Sequence, residues 1–175
     1  MSDDTTLPVR RVWTPGGFRI DDPWLRVEAQ APGDVPAHAI LTLAAWQAFG
    51  GELDPSLPVG VELAPGEPLG DILGALDRLG LIVLAFPKFS DGRSYSRAVL
   101  LRERHGFRGL LRAGGDVLID QVSHMLRSGF DELEVENPFT IARLEAGRIG
   151  GLPVHYQPAA LKASGERYSW RRIGA

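Results

Sequence analysis

Two stretches of this sequence concentrate side chains that can bind a small anion. The first reads Phe-Pro-Lys-Phe-Ser-Asp-Gly-Arg-Ser and contains Lys88, Asp91 and Arg93. Lys88 leaves the end of a predicted strand, and Asp91 precedes a predicted helix, whose N-terminus carries a partial positive charge. Two cations beside such a helix end predict an anion-binding cradle. The structural alternative is that Asp91 is an N-cap and that both cations are paired or solvated.

The second stretch, Leu-Arg-Ala-Gly-Gly-Asp, follows the next predicted strand. Gly114 and Gly115 have no Cβ, so their backbone can approach a ligand closely. Asp116 is expected to cap the following helix, and Arg112 to point toward the same crevice as Lys88. A salt bridge from Arg112 to Asp116 or Glu134 is the alternative.

Together these stretches define a candidate site at the carboxyl ends of neighbouring strands. The candidate ligand-binding residues are Lys88, Arg93, Arg112, Gly114 and Gly115. The candidate catalytic residues, which could move protons, are Asp91, Asp116 and Glu134.

Acidic and histidine residues recur at four-residue spacing on the helix that follows the second stretch. Asp116, Asp120 and His124 would share one helical face. Metal ligation is one interpretation of this spacing. The stripe lies opposite an apolar face that begins at Leu118, however, which is more typical of solvated polar residues. We therefore predict no metal site.

Composition excludes several other kinds of site. The chain contains no cysteine, which removes disulfides, thiolate zinc sites, iron–sulfur ligation and a cysteine nucleophile. Neither glycine-rich nucleotide-binding fingerprint occurs, so we predict no cofactor. The net charge of -3 provides no global positive field for nucleic acid or a membrane surface. No signal peptide or run of about 20 apolar residues is present, so we expect a soluble cytoplasmic protein.

Apolar runs alternate with amphipathic helices and would position both stretches. We predict strands over residues 38–43, 59–63, 81–86, 109–112 and 132–135. Alternation with short connections predicts a mostly parallel sheet of about five strands with flanking helices. We favour an open, doubly wound sheet. A partial barrel of strand–helix units is the alternative, because a complete barrel needs about 250 residues.

The chain divides into three predicted parts. Residues 1–36 form an N-terminal β-hairpin arm around a Pro-Gly-Gly turn, residues 37–150 form the α/β domain, and residues 151–175 form a C-terminal tail. A short hairpin cannot bury all the apolar residues of the arm by itself. These residues are Val12, Trp13, Phe18, Ile20 and Trp24. We therefore predict that the arm contributes to a homodimer.

Several motifs resemble a bacterial family of unknown function, DUF934. They are Phe-Pro-Lys-Phe at 86–89, Asp-Gly-Arg at 91–93, Leu-Arg-Ala at 111–113 and Gly-Asp-Val-Leu at 115–118. The resemblance is continuous from about residue 81 to residue 135 and weaker outside that range. Ala85 stands where an acidic residue is common in the family, and Ser128 stands where cysteine is frequent. Neither an acid nor a thiol can be essential at those two positions of this chain.

The resemblance implies a pathway. The family is usually encoded beside assimilatory sulfite reductase and is often labelled an oxidoreductase involved in sulfite reduction. We expect an accessory or regulatory protein of sulfur assimilation that binds a small anion or the reductase machinery at the carboxyl ends of the strands. Two alternatives stay open: an enzyme acting on a sulfur oxyanion or phosphorylated substrate, and a structural dimer module.

Overall fold

The computed structural model describes residues 10–88 and 91–150, and the predicted C-terminal tail lies outside the described residues. The described part contains eight strands: β1 Arg11–Thr14, β2 Gly17–Phe18, β3 Leu25–Arg26, β4 Ala39–Thr42, β5 Val59–Leu63, β6 Leu79–Phe86, β7 Leu110–Gly115 and β8 Glu132–Val135. It also contains five α-helices: α1 Leu43–Phe49, α2 Gly70–Leu73, α3 Arg93–Val99, α4 Ile119–Arg127 and α5 Pro138–Glu145. Short 3-10 turns lie at Pro32–Asp34, Gly50–Glu52 and Leu76–Arg78, and a π-helical turn, Leu100–Arg104, continues α3.

All eight strands form one sheet in the order β2-β1-β8-β7-β6-β5-β4-β3. Strands β3 to β8 are parallel, whereas β1 pairs antiparallel with both β8 and β2. The five predicted strands correspond to β4 to β8, and their parallel direction is confirmed. The prediction of a doubly wound sheet is wrong, because that architecture requires a reversal of strand order. Right-handed crossovers between sequential neighbours instead place every helix on one face.

The sheet curls into a half-barrel, in agreement with the partial-barrel alternative. Eight strands in a flat sheet would separate the two edge strands by about 34 Å, at roughly 4.8 Å between neighbours. The chain leaves β2 at Phe18 and enters β3, at the opposite edge, at Leu25. The six residues between those two points make seven Cα-to-Cα steps, which can span at most about 25 Å. The edges must therefore approach each other.

The two faces of the half-barrel differ in character. On the outer face, strand residues such as Leu41, Ile82 and Leu111 pack with helix residues such as Met125 in the main hydrophobic core. The inner face carries a smaller apolar cluster made of Trp24, Ile40, Leu81 and Val83. The same face also carries charged side chains of β5, β7 and β8, those of Glu62, Arg112, Glu132 and Glu134.

Two local predictions around the second stretch require correction. β7 continues to Gly115, three residues beyond the predicted strand end, because Gly114 and Gly115 pair with Ala85 and Phe86 of β6. The helix begins at Ile119 and not at Asp116. Leu118 and not Asp116 therefore occupies the N-cap position, and the backbone N–H of Asp116 donates to the carbonyl oxygen of Phe86 at 2.7 Å.

The N-terminal arm packs on its own chain. The predicted hairpin forms, and Gly17 adopts a φ of +115° in its turn. Val12, Trp13 and Trp24 are buried, whereas Ile20 is 98% exposed. Much of the apolar surface that suggested a homodimer is thus covered within one chain, and the dimer stays a prediction. None of the helices in the described residues is long and apolar enough to cross a membrane.

Candidate functional site

The loop after β6 brings Lys88 and Arg93 together at the surface. Both residues, with Pro87, Asp91 and Gly92, line a shallow depression of about 560 Å³. Asp91 accepts hydrogen bonds from the backbone N–H of Arg93 at 3.1 Å and from its guanidinium at 2.7 and 3.0 Å. These bonds lower the pKa of Asp91 and raise the pKa of Arg93. The N-cap residue of α3 is Gly92 and not Asp91, although the Asp91 carboxylate does bond to the backbone N–H of Arg93 in the first turn of the helix.

Arg112 is not part of this loop. It lies on the inner face of the half-barrel, three residues before the end of β7, and is 1% exposed. Three carboxylates surround its guanidinium, those of Asp22, Glu132 and Glu134. The sequence alternative of a salt bridge between Arg112 and Glu134 is therefore confirmed.

The bonds to Arg112 use its whole guanidinium fork. Asp22 accepts from Nη1 at 2.7 Å and from Nη2 at 2.8 Å. Glu132 accepts from Nε at 2.9 Å and from Nη2 at 2.7 Å, and Glu134 accepts from Nη1 at 3.3 Å. Burial acts to lower the pKa of Arg112, but hydrogen bonds to Asp22 and Glu132 outweigh it, so the pKa is raised overall.

Arginines of the N-terminal arm surround the same carboxylates. Arg26 donates to both oxygens of Glu134 at 2.9 Å and from Nε to Glu62 at 2.6 Å. Arg19 lies against the other oxygen of Glu132. In the described part of the chain, the connected network holds four arginines and five carboxylates: Arg10, Arg19, Arg26, Arg112, Asp22, Glu62, Glu132, Glu134 and Glu136.

Both candidate glycines have a packing role inside the sheet. A Cβ on Gly114 would lie 3.0 Å from Glu134 Oε2 and 3.2 Å from Arg26 Nη2, so glycine leaves room for that ion pair. Gly115 has a φ of +98°, and a Cβ there would collide with the carbonyl oxygen of Phe86. Both glycines are thus needed because neighbouring protein groups lie close to their backbone.

A pocket of about 640 Å³ opens beside the charged network, and we call it the arginine pocket. The residues that line it include two acidic residues, Asp22 and Glu134, and four arginines, Arg10, Arg11, Arg19 and Arg26. The lining charges therefore sum to +2 in a protein whose net charge is -3. Arginine forks donate paired N–H groups, which suits oxyanions and carboxylates.

The sequence identified Arg112 and Glu134 as candidates but missed the arm arginines, Asp22 and Glu132. No local motif marks them, because the ion pairs join residues between 20 and 126 positions apart. One signal was present. The strand Glu-Leu-Glu-Val carries Glu132 and Glu134 at alternate positions, which predicts that one face of the sheet is charged rather than apolar.

The predicted polar stripe on α4 contains an aromatic contact. The ring of His124 lies 4.3 Å from the ring of Tyr95. Burial lowers the pKa of His124, and burial followed by the nearby charge of Asp120 raises the pKa of Tyr95 to about 12. Among the described residues, no three His, Asp or Glu side chains are grouped so that they could hold a metal ion.

Comparison with known protein families gives a match. A family model described as "Bacterial protein of unknown function (DUF934)" matches residues 60–165, which is more than half of the chain. The match includes Arg112, Glu132 and Glu134 but begins after Asp22 and Arg26. No curated protein matches the sequence.

Proposed function

We propose a function for this protein, which belongs to the bacterial family DUF934. It binds a small oxyanion in the arginine pocket and acts as an accessory or regulatory protein of sulfur assimilation. The pathway comes from the resemblance to a family usually encoded beside sulfite reductase. Anion binding is inferred from the chemistry of the residues that line the pocket. Sulfite and sulfate are oxyanions of the kind that such a pocket would accept.

Four arginines lining one pocket are the observation that carries this proposal. Two of them are held in fixed positions, because Arg26 is locked between Glu62 and Glu134 and Arg10 between Glu134 and Glu136. Arg11 adds positive charge at the edge of the pocket, but its guanidinium lies over the ring of Phe18 at 4.0 Å and pairs with Glu145. A preorganised cluster of donors binds an anion without the entropic cost of ordering long side chains.

The acidic residues beside the pocket favour binding over catalysis. Glu134 faces guanidinium groups of Arg10, Arg26 and Arg112, and Glu132 faces those of Arg19 and Arg112. Carboxylates engaged in this way position the arginines. A general acid or base must instead reach a proton on the substrate.

Isothermal titration calorimetry at low ionic strength tests the proposal, with sulfite, sulfate and phosphate as titrants. Arg10→Gln is the informative variant, because Arg10 lines the pocket, is 43% exposed and faces the inner carboxylates Glu134 and Glu136. Arg93→Gln is the matched control, since Arg93 is also exposed and ion-paired but lies at the loop after β6. We expect Arg10→Gln to weaken binding about tenfold, as for the loss of one charge-assisted hydrogen bond.

Three results would contradict this proposal. One is that none of the three anions binds the wild-type protein. Another is that both variants weaken binding equally. A third, in which Arg93→Gln alone weakens binding, would place the anion at the loop after β6.

A further inference from the structure

We propose that the carboxylate of Asp22 occupies the place of the bound ligand on Arg112, and that the ligand is a singly charged anion with two oxygens. The ligand would displace Asp22 and release the segment that carries it. We call this segment, residues 20–24, the strap. The inference rests on the proposed function and specifies the ligand class and the regulation of the arginine pocket.

The strap crosses the mouth of the half-barrel with few attachments. It joins β2 at one edge of the sheet to β3 at the other. Within the described residues, the strap backbone makes no hydrogen bond to another backbone group. Ile20, Asp21 and Pro23 are exposed, so Asp22 and Trp24 are the two side chains that anchor it.

The Trp24 anchor is built into the sheet. A Cβ on Gly80 would lie 2.9 Å from the Trp24 ring, and a Cβ on Gly60 would lie 3.3 Å from it. The two glycines therefore form a seat for the indole, and His38 packs edge-on against it at 5.0 Å between ring centroids. Removing a buried tryptophan from such a seat is costly, so Trp24 acts as the permanent attachment of the strap.

Asp22 is the exchangeable anchor among the three carboxylates on Arg112. Glu132 and Glu134 belong to β8 and have 1% and 2% of their side chains exposed, whereas 23% of the Asp22 side chain is exposed. Asp22 also lines the arginine pocket, so an anion in the pocket lies beside it. A ligand with two oxygens can take over both hydrogen bonds from the fork of Arg112, which leaves no buried donor unsatisfied.

The charge of the network points to a singly charged ligand. Four arginines and five carboxylates form the network while Asp22 is bound. When Asp22 leaves, four charges of each sign remain, and one negative charge restores the original balance. A sulfonate, a carboxylate or hydrogen sulfite meets both requirements. Chloride has the charge but only one acceptor atom.

Affinity measurements on two matched variants test the exchange, with methanesulfonate, acetate and chloride as probes. Asp22→Asn removes the competing charge but keeps the shape of the side chain, and Asp21→Asn removes one charge from the exposed neighbour. We expect Asp22→Asn to bind methanesulfonate about tenfold more tightly than the wild type, because a closed strap lowers the binding-competent fraction. Asp21→Asn should change the affinity by less than about twofold.

The outcomes separate this inference from the proposed function. If no protein binds any of the three probes or the oxyanions tested above, the proposed function fails and this inference fails with it. If the wild type binds but both variants bind alike, the exchange alone is overturned. The exchange is also overturned if Asp22→Asn improves chloride binding as much as methanesulfonate binding.

Hydrogen exchange in the wild-type protein gives a second measurement that does not depend on how well the variant folds. With saturating methanesulfonate, we expect the amide of Trp24, which donates to Asp22 Oδ1 at 3.3 Å, to exchange about tenfold faster, because Asp22 is no longer fixed on Arg112. Amides of β7, including that of Arg112, should be unchanged. Slower or unchanged exchange in the strap would overturn the displacement of Asp22.

Discussion

Asp22 and Arg112 are 90 positions apart in the sequence, and both oxygens of the carboxylate accept from the two terminal nitrogens of the guanidinium. Asp22 comes from the strap that joins opposite edges of the sheet, whereas Arg112 comes from the central strand β7. One bidentate ion pair thus attaches the strap to the inner face of the half-barrel. A buried ion network of this kind specifies one arrangement of the arm, whether or not the network adds to the free energy of unfolding.

Replacing Arg112 should strongly destabilise the fold. Arg112→Met would leave three carboxylates facing one another beside the buried methionine, and removing one partner from a buried ion network typically costs about 3–5 kcal/mol. Arg93→Met is the control, because Arg93 and Asp91 form an exposed pair that is screened by solvent and contributes little to stability. Urea denaturation measures both. A loss below about 1 kcal/mol for Arg112→Met would contradict the network.

Trp24 should stabilise the protein far more than its neighbour on the strap. We expect Trp24→Ala to lower the free energy of unfolding by about 3–5 kcal/mol, because it empties the seat formed by Gly60 and Gly80. Ile20→Ala should have almost no effect, since Ile20 is 98% exposed. Thermal and urea unfolding provide the comparison. Equal effects of the two substitutions would show that Trp24 is not buried on the inner face.

A methyl group on Gly115 should destabilise the protein even when no ligand is bound. Its φ of +98° is unfavourable for alanine, and the added Cβ would collide with the backbone of Phe86. Gly115→Ala should cost at least about 1 kcal/mol of unfolding free energy. Gly74→Ala is the control, because Gly74 has a φ of -73° and no atom near an added Cβ. If both variants are as stable as the wild type, the strain at Gly115 is refuted.

Stability at alkaline pH should depend on Tyr95. Its pKa is raised to about 12 in the folded protein, whereas an unfolded tyrosine titrates near about 10. Between these values the unfolded chain has lost the proton that the folded chain keeps, so the contribution of Tyr95 to stability is lost as pH rises through that window. Tyr95→Phe should reduce this alkaline loss in urea unfolding at pH 9 to 11.

Ultraviolet titration provides the companion measurement for Tyr95. The chain has three tyrosines, and the wild type should show one phenol ionising near pH 12. This component should be missing from Tyr95→Phe. If the variant instead loses a component near the ordinary value, the pKa of Tyr95 is not raised.

Local pattern in the sequence determined the parallel core of the fold. The five strands β4 to β8 were predicted from apolar runs separated by helices, and the cap at Asn137 and the hairpin turn at Gly17 follow from residues a few positions away. Asn137 accepts from the backbone N–H of Thr140 at 3.0 Å, as an N-cap requires. Such features are readable because each depends on neighbours within about one turn of chain.

Only the tertiary structure decided the curl of the sheet, the path of the strap and the partners of Arg112. Asp22, Arg26 and Glu134 meet because sequential strand order and a short strap bring opposite sheet edges together, and no spacing in the sequence encodes that closure. The predicted end of β7 was also wrong. Two consecutive glycines are typical of a loop, but Gly114 and Gly115 are extended because they pair with β6. Ion pairs between distant residues are consequences of topology, whereas side-chain periodicity and capping are consequences of local backbone geometry.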